Sequence, residues 1–363
     1  MPPAVIACYN ATMTDDLHST TSTRAGRAAL RVAPAADPLA DCCAAIRNQV
    51  LRGIALNREP GYHFAGNFLD LSYDHVGTDG TVLSLDVAPH CAEADGQLNG
   101  AALAILADLT MAAAVRAGLE PHIRLATVTM HLQLTGAPRS GRLVGRGAMH
   151  GFVQGAVGRQ GASAVEIRNA AGLVCTGSGT FMVLKPPRGV ELHPVPLRRR
   201  DENPTPDISG NRLRSDEKKI LAVADAALAR TAAHGGAFIR HFWGVQAKRA
   251  TGSALHGGLL RGAQSTVRNG PHIGNRVGHV QGGILLGLAA ENAAAALTPH
   301  WMLTEISAWY LSPGEGRTLK IRSRVVHHGR LVAVVRTQVT GKDADGRSRK
   351  VLEVMTTHAY RAA

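Results

Sequence analysis

Aromatic side chains make up only 4% of this 363-residue chain, against 40 glycines and a large share of alanine. Small residues in that proportion suit helices that pack closely together. The five cysteines, Cys8, Cys42, Cys43, Cys91 and Cys175, are odd in number and contain no C-x-x-C pair. That argues against a disulfide framework and against a zinc site, and leaves reduced thiols as the expectation. No apolar run approaches the roughly 20 residues of a membrane span. The N-terminus has no basic segment leading into an apolar one, so no secretory signal is expected, and the chain reads as cytoplasmic. Acidic residues are also short, 27 against 40 Lys and Arg, for a formal charge of +13. The basic residues are scattered apart from Arg198-Arg199-Arg200, and no zinc finger, RNA-recognition signature or basic helix accompanies them. A nucleic-acid partner is therefore disfavoured.

What is present is an internal repeat. Gly96-Gln97-Leu98-Asn99-Gly100-Ala101 runs into the apolar stretch Ala102 to Val115, and Gly278-His279-Val280-Gln281-Gly282-Gly283 runs into Ile284 to Leu297. Each is a glycine turn opening a small-residue helix. Each is followed by a Pro-His pair, Pro121-His122 and Pro299-His300, and then by a β-like run. A unit of this length is a domain, since solenoid repeats span about 20 to 50 residues.

The pattern divides the chain into an irregular extension over 1–37, a first unit over 38–185, a polar, proline-containing linker over 186–215 and a second unit over 216–363. In the first unit, apolar spacing predicts a helix over 38–56, strands over 68–73 and 81–87, the helix after Asn99, and strands over 125–134, 141–153, 160–169 and 172–184. In the second, a helix over 216–232 precedes short strands over 245–267 around Gly257-Gly258. The helix after Gln281 follows, and then strands over 303–311, 317–327, 331–340 and 350–360. Ala170 to Gly172 and Asp343 to Gly346 are the matching hairpin turns. Helix, hairpin, long helix and a meander of three or four strands make an α+β layer architecture. The Arg198–Arg200 run reads as solvated linker.

These motifs resemble the acyl-CoA thioesterase branch of the hotdog superfamily. Asn275-Arg276-Val277-Gly278-His279-Val280-Gln281-Gly282-Gly283 is similar to its N-x-x-G-x-x-H-G-G motif, with Gln281 in place of the histidine. The resemblance implies two hotdog domains in one chain, each an antiparallel sheet wrapped around a long helix, together mimicking the family's homodimer. In the family a carboxylate stands nine residues after the histidine. Asp108 stands nine after Asn99, whereas Ala290, beside Glu291, stands nine after Gln281.

The resemblance thus implies one composite site at the interface of the units. Asn275, Gln281 and Gly282 come from the second unit, Asp108 and Thr127 from the first, and Gly283 would lie against coenzyme A. The opposite set, Glu93, Asn99 and Gly100 with Ala290 or Glu291 and Glu305, is expected to be degenerate. The implied reaction is hydrolysis of an acyl-CoA thioester, with Asp108 as general base or nucleophile, the Gly282 amide receiving the oxyanion, and Thr127 orienting water. No cofactor is expected beyond the coenzyme A of the substrate, and no metal, since His279, His327 and His328 read as surface or core histidines. A non-catalytic acyl-CoA-binding protein is the alternative. A hydratase or dehydratase is disfavoured because D-x-N-P-x-H is missing. Further self-association of such a chain is compatible with the resemblance.

Overall fold

The computed structural model describes residues 38–155, 158–186, 192–203, 212–244, 246–252, 260–343 and 345–361, with Gly189 and Ile208. The extension over 1–37 and the turn at Gly257-Gly258 lie outside the described residues. The first unit contains α1 (Pro38–Leu56), α2 (Phe64–Phe68), β1 (Ser72–Gly77), β2 (Gly80–Asp86), α3 (Gly100–Arg116), β3 (Arg124–Leu134), β4 (Arg142–Gly155), β5 (Gly158–Asn169) and β6 (Gly172–Leu184). The second repeats that order with α4 (Ser215–His234), α5 (Phe238–Phe242), β7 (Lys248–Gly252), β8 (Leu260–Arg268), α6 (Gly282–Ala295), β9 (Trp301–Tyr310), β10 (Thr318–His328), β11 (Val332–Lys342) and β12 (Ser348–Tyr360).

The twelve strands of the described residues form one sheet in the order β1-β2-β4-β5-β6-β3-β9-β12-β11-β10-β8-β7, and every pairing is antiparallel. This is the α+β architecture anticipated from the repeat, with the two hotdog units that the resemblance implies. The meander has three strands in each unit. β4, β5 and β6 do run hairpin to hairpin, but β3 pairs with β6 and β9 rather than with β4. Strand periodicity fixes where a strand lies and says nothing about its neighbour. A correction concerns 68–73, read as a strand. Phe68 ends α2, Asp70 turns the chain at a positive φ of 53°, and β1 begins at Ser72. The alternating apolar side chains there are buried by a helical turn capped by His63, whose Nδ1 accepts from the Gly66 amide at 3.1 Å.

The units meet along several elements, and two of these contacts position the site. β3 and β9 pair from Thr129–Trp309 to Gln133–Glu305, about a centre where His131 Nδ1 lies 3.1 Å from Ser307 Oγ. The long helices α3 and α6 also cross. Both are apolar on all sides and buried, as central helices must be. Each opens on a side-chain cap. Asn99 Oδ1 accepts from the amides of Ala101 and Ala102, and Gln281 Oε1 accepts from Ile284.

Gly283 and Gly287 allow the crossing. A Cβ on Gly283 would lie 2.7 Å from the Ile105 backbone, and one on Gly287 would fall inside the Ala101 backbone. Because Gly283 meets Ile105 while Gly287 meets Ala101, the helices run antiparallel. The opening of α6 is therefore set beside the middle of α3, next to Asp108.

Within the Arg198–Arg200 run, Arg198 and Arg200 dock on the first unit while Arg199 stays exposed. Arg198 holds Glu59 through two bonds of 2.6 and 2.7 Å, its carbonyl accepts from the Tyr73 amide, and Arg200 pairs with Asp70 and Asp86. The expectation of five reduced thiols is corrected at Cys42, which is disulfide-bonded; Cys91 and Cys175 are free thiols. Residue spacing does not reveal which cysteines meet, because a disulfide depends on Cα separation in the fold. No helix among the described residues is long and apolar enough to cross a membrane.

Candidate functional site

The crossing of α3 and α6 brings four of the anticipated residues together. Asp108, on α3, is only 5% exposed. Its Oδ2 accepts from Gln281 Nε2 at 2.9 Å and its Oδ1 accepts from Thr127 Oγ1 at 3.0 Å. The amide of Gln281 can point only one way, since its oxygen is committed to the Ile284 amide at 2.9 Å and its nitrogen must donate to the carboxylate. One glutamine thus caps α6 and ties the second unit to the carboxylate of the first. Gly282 is the first residue of α6, so its amide has no acceptor within the helix. A Cβ there would sit 3.6 Å from Asp108 Oδ2 and 3.7 Å from Thr127 Oγ1.

Burial pushes the Asp108 carboxyl up to about 6, and its hydrogen bonds from Thr127 and Gln281 hold it from rising further. The site opens into a cavity of about 430 Å³ lined by both units. The linker contributes Leu192, Val195 and Leu197 to its wall.

Asn275 and Gly283 take other places. Asn275 lines the cavity, but its Oδ1 accepts from the amides of Val277 and His279 and so closes the loop ahead of α6. Gly283 faces Ile105 between the helices and does not line the cavity. Several residues of the site carry no motif. Tyr310, at the end of β9, donates to the Gly282 carbonyl at 2.9 Å. Tyr62 and Tyr73 share a hydrogen bond of 3.1 Å in the cavity wall, and Arg116, Arg124 and Arg276 line it as well. Only Arg276 fell within a quoted motif. His279 lies 3.4 Å from Glu315, and no group of three His, Cys, Asp or Glu among the described residues could hold a metal ion.

The equivalent place on the other side of the two-fold has different chemistry. Asn99 caps α3 and donates to Glu93 at 2.6 Å. Arg240, from α5, pairs with Glu93 and lies 3.7 Å from Glu291. Ala290 replaces the carboxylate. The β3–β9 register also decides which residue replaces Thr127. It relates Thr129 to Glu305, and the bulge at Val128 to the one at Thr304, so Thr127 corresponds to Leu303 and Tyr310 to Leu134. No hydroxyl stands at either place.

Glu291 is pushed up to about 7 by burial and by Glu93, against the opposing pull of Arg240. Its partners are this ion cluster and not the cavity. Glu291→Gln is accordingly expected to leave kcat/KM within about twofold, because a change that touches no reacting group loses no transition-state stabilisation. Thiol release from an acyl-CoA, measured beside the parent protein, checks this.

Comparison with known proteins gives the matched family. Residues 271–360 match the model of the acyl-CoA thioesterase N-terminal domain. That segment is similar to an acyl-CoA thioesterase N-terminal domain. It contains the Asn275–Gly283 motif, the whole of α6 and the strands β9 to β12, so Gln281 and Gly282 lie inside the matched thioesterase domain and Asp108 outside it. No curated protein matches the chain.

Among solved structures, the chain is similar to an acyl-CoA thioesterase II of Mycobacterium marinum at 13% identity, over 81% of this chain and 97% of that one, with a TM-score of 0.45. It is similar to a hot dog-fold protein of unknown function from Alicyclobacillus acidocaldarius at 12% identity, over 81% and 96%, with a TM-score of 0.47. A Bacillus halodurans protein solved with CoA matches at 19% identity over 42% of this chain and 97% of that one, with a TM-score of 0.33.

Proposed function

We propose that the protein hydrolyses an acyl-CoA thioester to a free acid and coenzyme A, at one composite site shared by the two units. The observation that carries this reading is the contact between Asp108 of the first unit and Gln281 of the second, at the mouth of a helix with a free amide. The thioester carbonyl oxygen sits at the Gly282 amide, where the helix N-terminus stabilises developing negative charge. Glycine lets the thioester approach the backbone closely. Asp108 takes a proton from water as the water oxygen bonds to the carbonyl carbon. The tetrahedral intermediate then collapses, the C–S bond breaks, and the proton passes from Asp108 to the departing thiolate.

General base catalysis fits better than direct attack by the carboxylate. Both Asp108 oxygens already accept a hydrogen bond, which blunts them as nucleophiles, yet each retains a lone pair for water. Thr127 and Gln281 hold the carboxylate plane, and Tyr310 fixes the Gly282 peptide by binding its carbonyl.

A base held up to about 6 has a consequence for pH. It acts when deprotonated, so kcat/KM is expected to be level at neutral pH and to fall tenfold per pH unit below about 6. A pH profile of thiol release on any turned-over acyl-CoA tests it. A profile still level at pH 5 would exclude Asp108 as the base.

A further inference from the structure

Arg116, Arg124 and Arg276 line the cavity that holds Asp108, and none forms an ion pair among the described residues. Arg116 donates to the Ile123 carbonyl at 2.8 Å, and Arg276 to the carbonyls of Gly61 and His193 at 3.1 and 3.4 Å. These bonds aim the guanidinium groups without neutralising them. Burial lowers Arg116 to about 10, and the charge of Arg276 opposes it further. Arg276 is lowered too, by burial and then by Arg124. Cations partly removed from water and crowded on one another are costly unless an anion joins them.

Hydroxyls face the same space. Tyr62 accepts from Tyr73 and so keeps its own proton to donate.

Two rulers place this group relative to Asp108. Arg116 follows Asp108 by two helical turns, a rise of about 12 Å, and helical side chains lean back toward the N-terminus. Ile123, which Arg116 contacts, precedes Thr127 by four strand residues, about 13 Å. Both put the guanidinium near 10 Å from the reacting carboxylate, to order of magnitude. The wall between them is apolar, with Leu109, Ala112, Leu125 and Phe181.

We infer that these arginines form a subsite for a carboxylate at the far end of the acyl group, so that the preferred substrates are dicarboxylyl-CoA esters. A chain of roughly five to eight carbons spans the gap from the thioester carbonyl to the arginines. Its methylenes would lie on the apolar wall and its carboxylate would take charge-assisted bonds from Arg116 and Arg276 with Tyr62 beside them. The phosphates of coenzyme A, which lie beyond the longer pantetheine arm, are the competing anion.

This inference rests on the thioesterase reading, and its test separates the two. Thiol release is measured for adipyl and hexanoyl thioesters, each as the coenzyme A ester and as the N-acetylcysteamine ester, which has no phosphate. The expected result is a preference for adipyl of about tenfold to a hundredfold in kcat/KM in both series. Arg116→Gln and Arg276→Gln should each reduce adipyl turnover more than hexanoyl turnover, so that the preference falls severalfold. No preference in the parent protein would overturn the proposal. So would a loss confined to the coenzyme A series and equal for both acyl groups, which would assign the arginines to the phosphates.

Calorimetry with free adipate and hexanoate supplies a readout independent of catalysis. Adipate binding that Arg116→Gln abolishes would uphold the subsite even if no thioester were hydrolysed. Absence of adipate binding together with absence of turnover would overturn it. Thermal melts of both variants verify that they fold.

Discussion

Asp108→Asn is expected to lower kcat by at least about a thousandfold while leaving the protein folded and no less stable. The catalytic half follows from the loss of the base. The structural half follows from the hydrogen bonds and the pKa. Asparagine can accept from Gln281 Nε2 with its oxygen, and its amide can donate to Thr127, whose hydroxyl turns to accept. Neither partner is left unsatisfied. Meanwhile the substitution removes a buried charge.

The carboxyl is pushed up to about 6 from its ordinary 3.8, so between those values the folded state holds more protons than the unfolded one. Asp108 therefore costs the fold nothing below about pH 3.8. Its cost accumulates as pH rises from 3.8 to 6 and reaches up to about 3 kcal/mol at neutral pH. Asp108→Asn removes that cost, and Tm at pH 7 should rise. At pH 4 the gain should vanish. Thermal melts of both proteins at the two pH values check the stability arm, and thiol release checks the catalytic one. An unfolded variant would contradict the stability arm, and a folded variant with kcat near that of the parent would contradict the catalytic one.

Gly287→Val is expected to have the largest effect on stability. A Cβ at this position falls inside the backbone of Ala101, and backbone cannot yield as a flexible side chain would. Forcing α6 away from α3 breaks the packing that brings the units together. The expected loss is about 3 kcal/mol or more, and it should carry activity with it, since Asp108 and Gln281 are held 2.9 Å apart by this crossing. Gly100→Ala is the control. It opens α3 as Gly282 opens α6, and an added Cβ there faces away from the crossing, with nothing within 4 Å. Denaturant unfolding of the two variants should show a large drop in the first and little change in the second. Similar losses in both would mean that the helix crossing is not the constraint.

The contrast between these positions shows what the sequence reveals and what it hides. The turn before each central helix is legible because a cap and a glycine carry it in a few adjacent residues. Strands β4, β5, β6 and β9 to β12 are legible because alternation marks them. The pairing of β3 with β9 is not, since each strand looks the same whichever neighbour it has. That pairing decides the equivalence of the two sides. By spacing from the Pro-His pairs Thr127 matches Glu305, but the ladder matches it to Leu303. Asp108 could be singled out as one carboxylate on an apolar helix. Tyr310 could not, because its role is a bond to a carbonyl on another element. The arginines of the cavity were equally hidden. They come from the end of α3, the start of β3 and the loop before α6, and only folding gathers them.

The central claim is that Asp108 and the opening of α6 hydrolyse acyl thioesters, and release of free coenzyme A from a panel of short, medium, long, aryl and dicarboxylyl acyl-CoAs tests it most directly. The account predicts turnover on at least one member, absent in Asp108→Asn and nearly unchanged in Glu291→Gln. Tight binding of acyl-CoA with no thiol released from any member would contradict it and mark the cavity as a binding site alone.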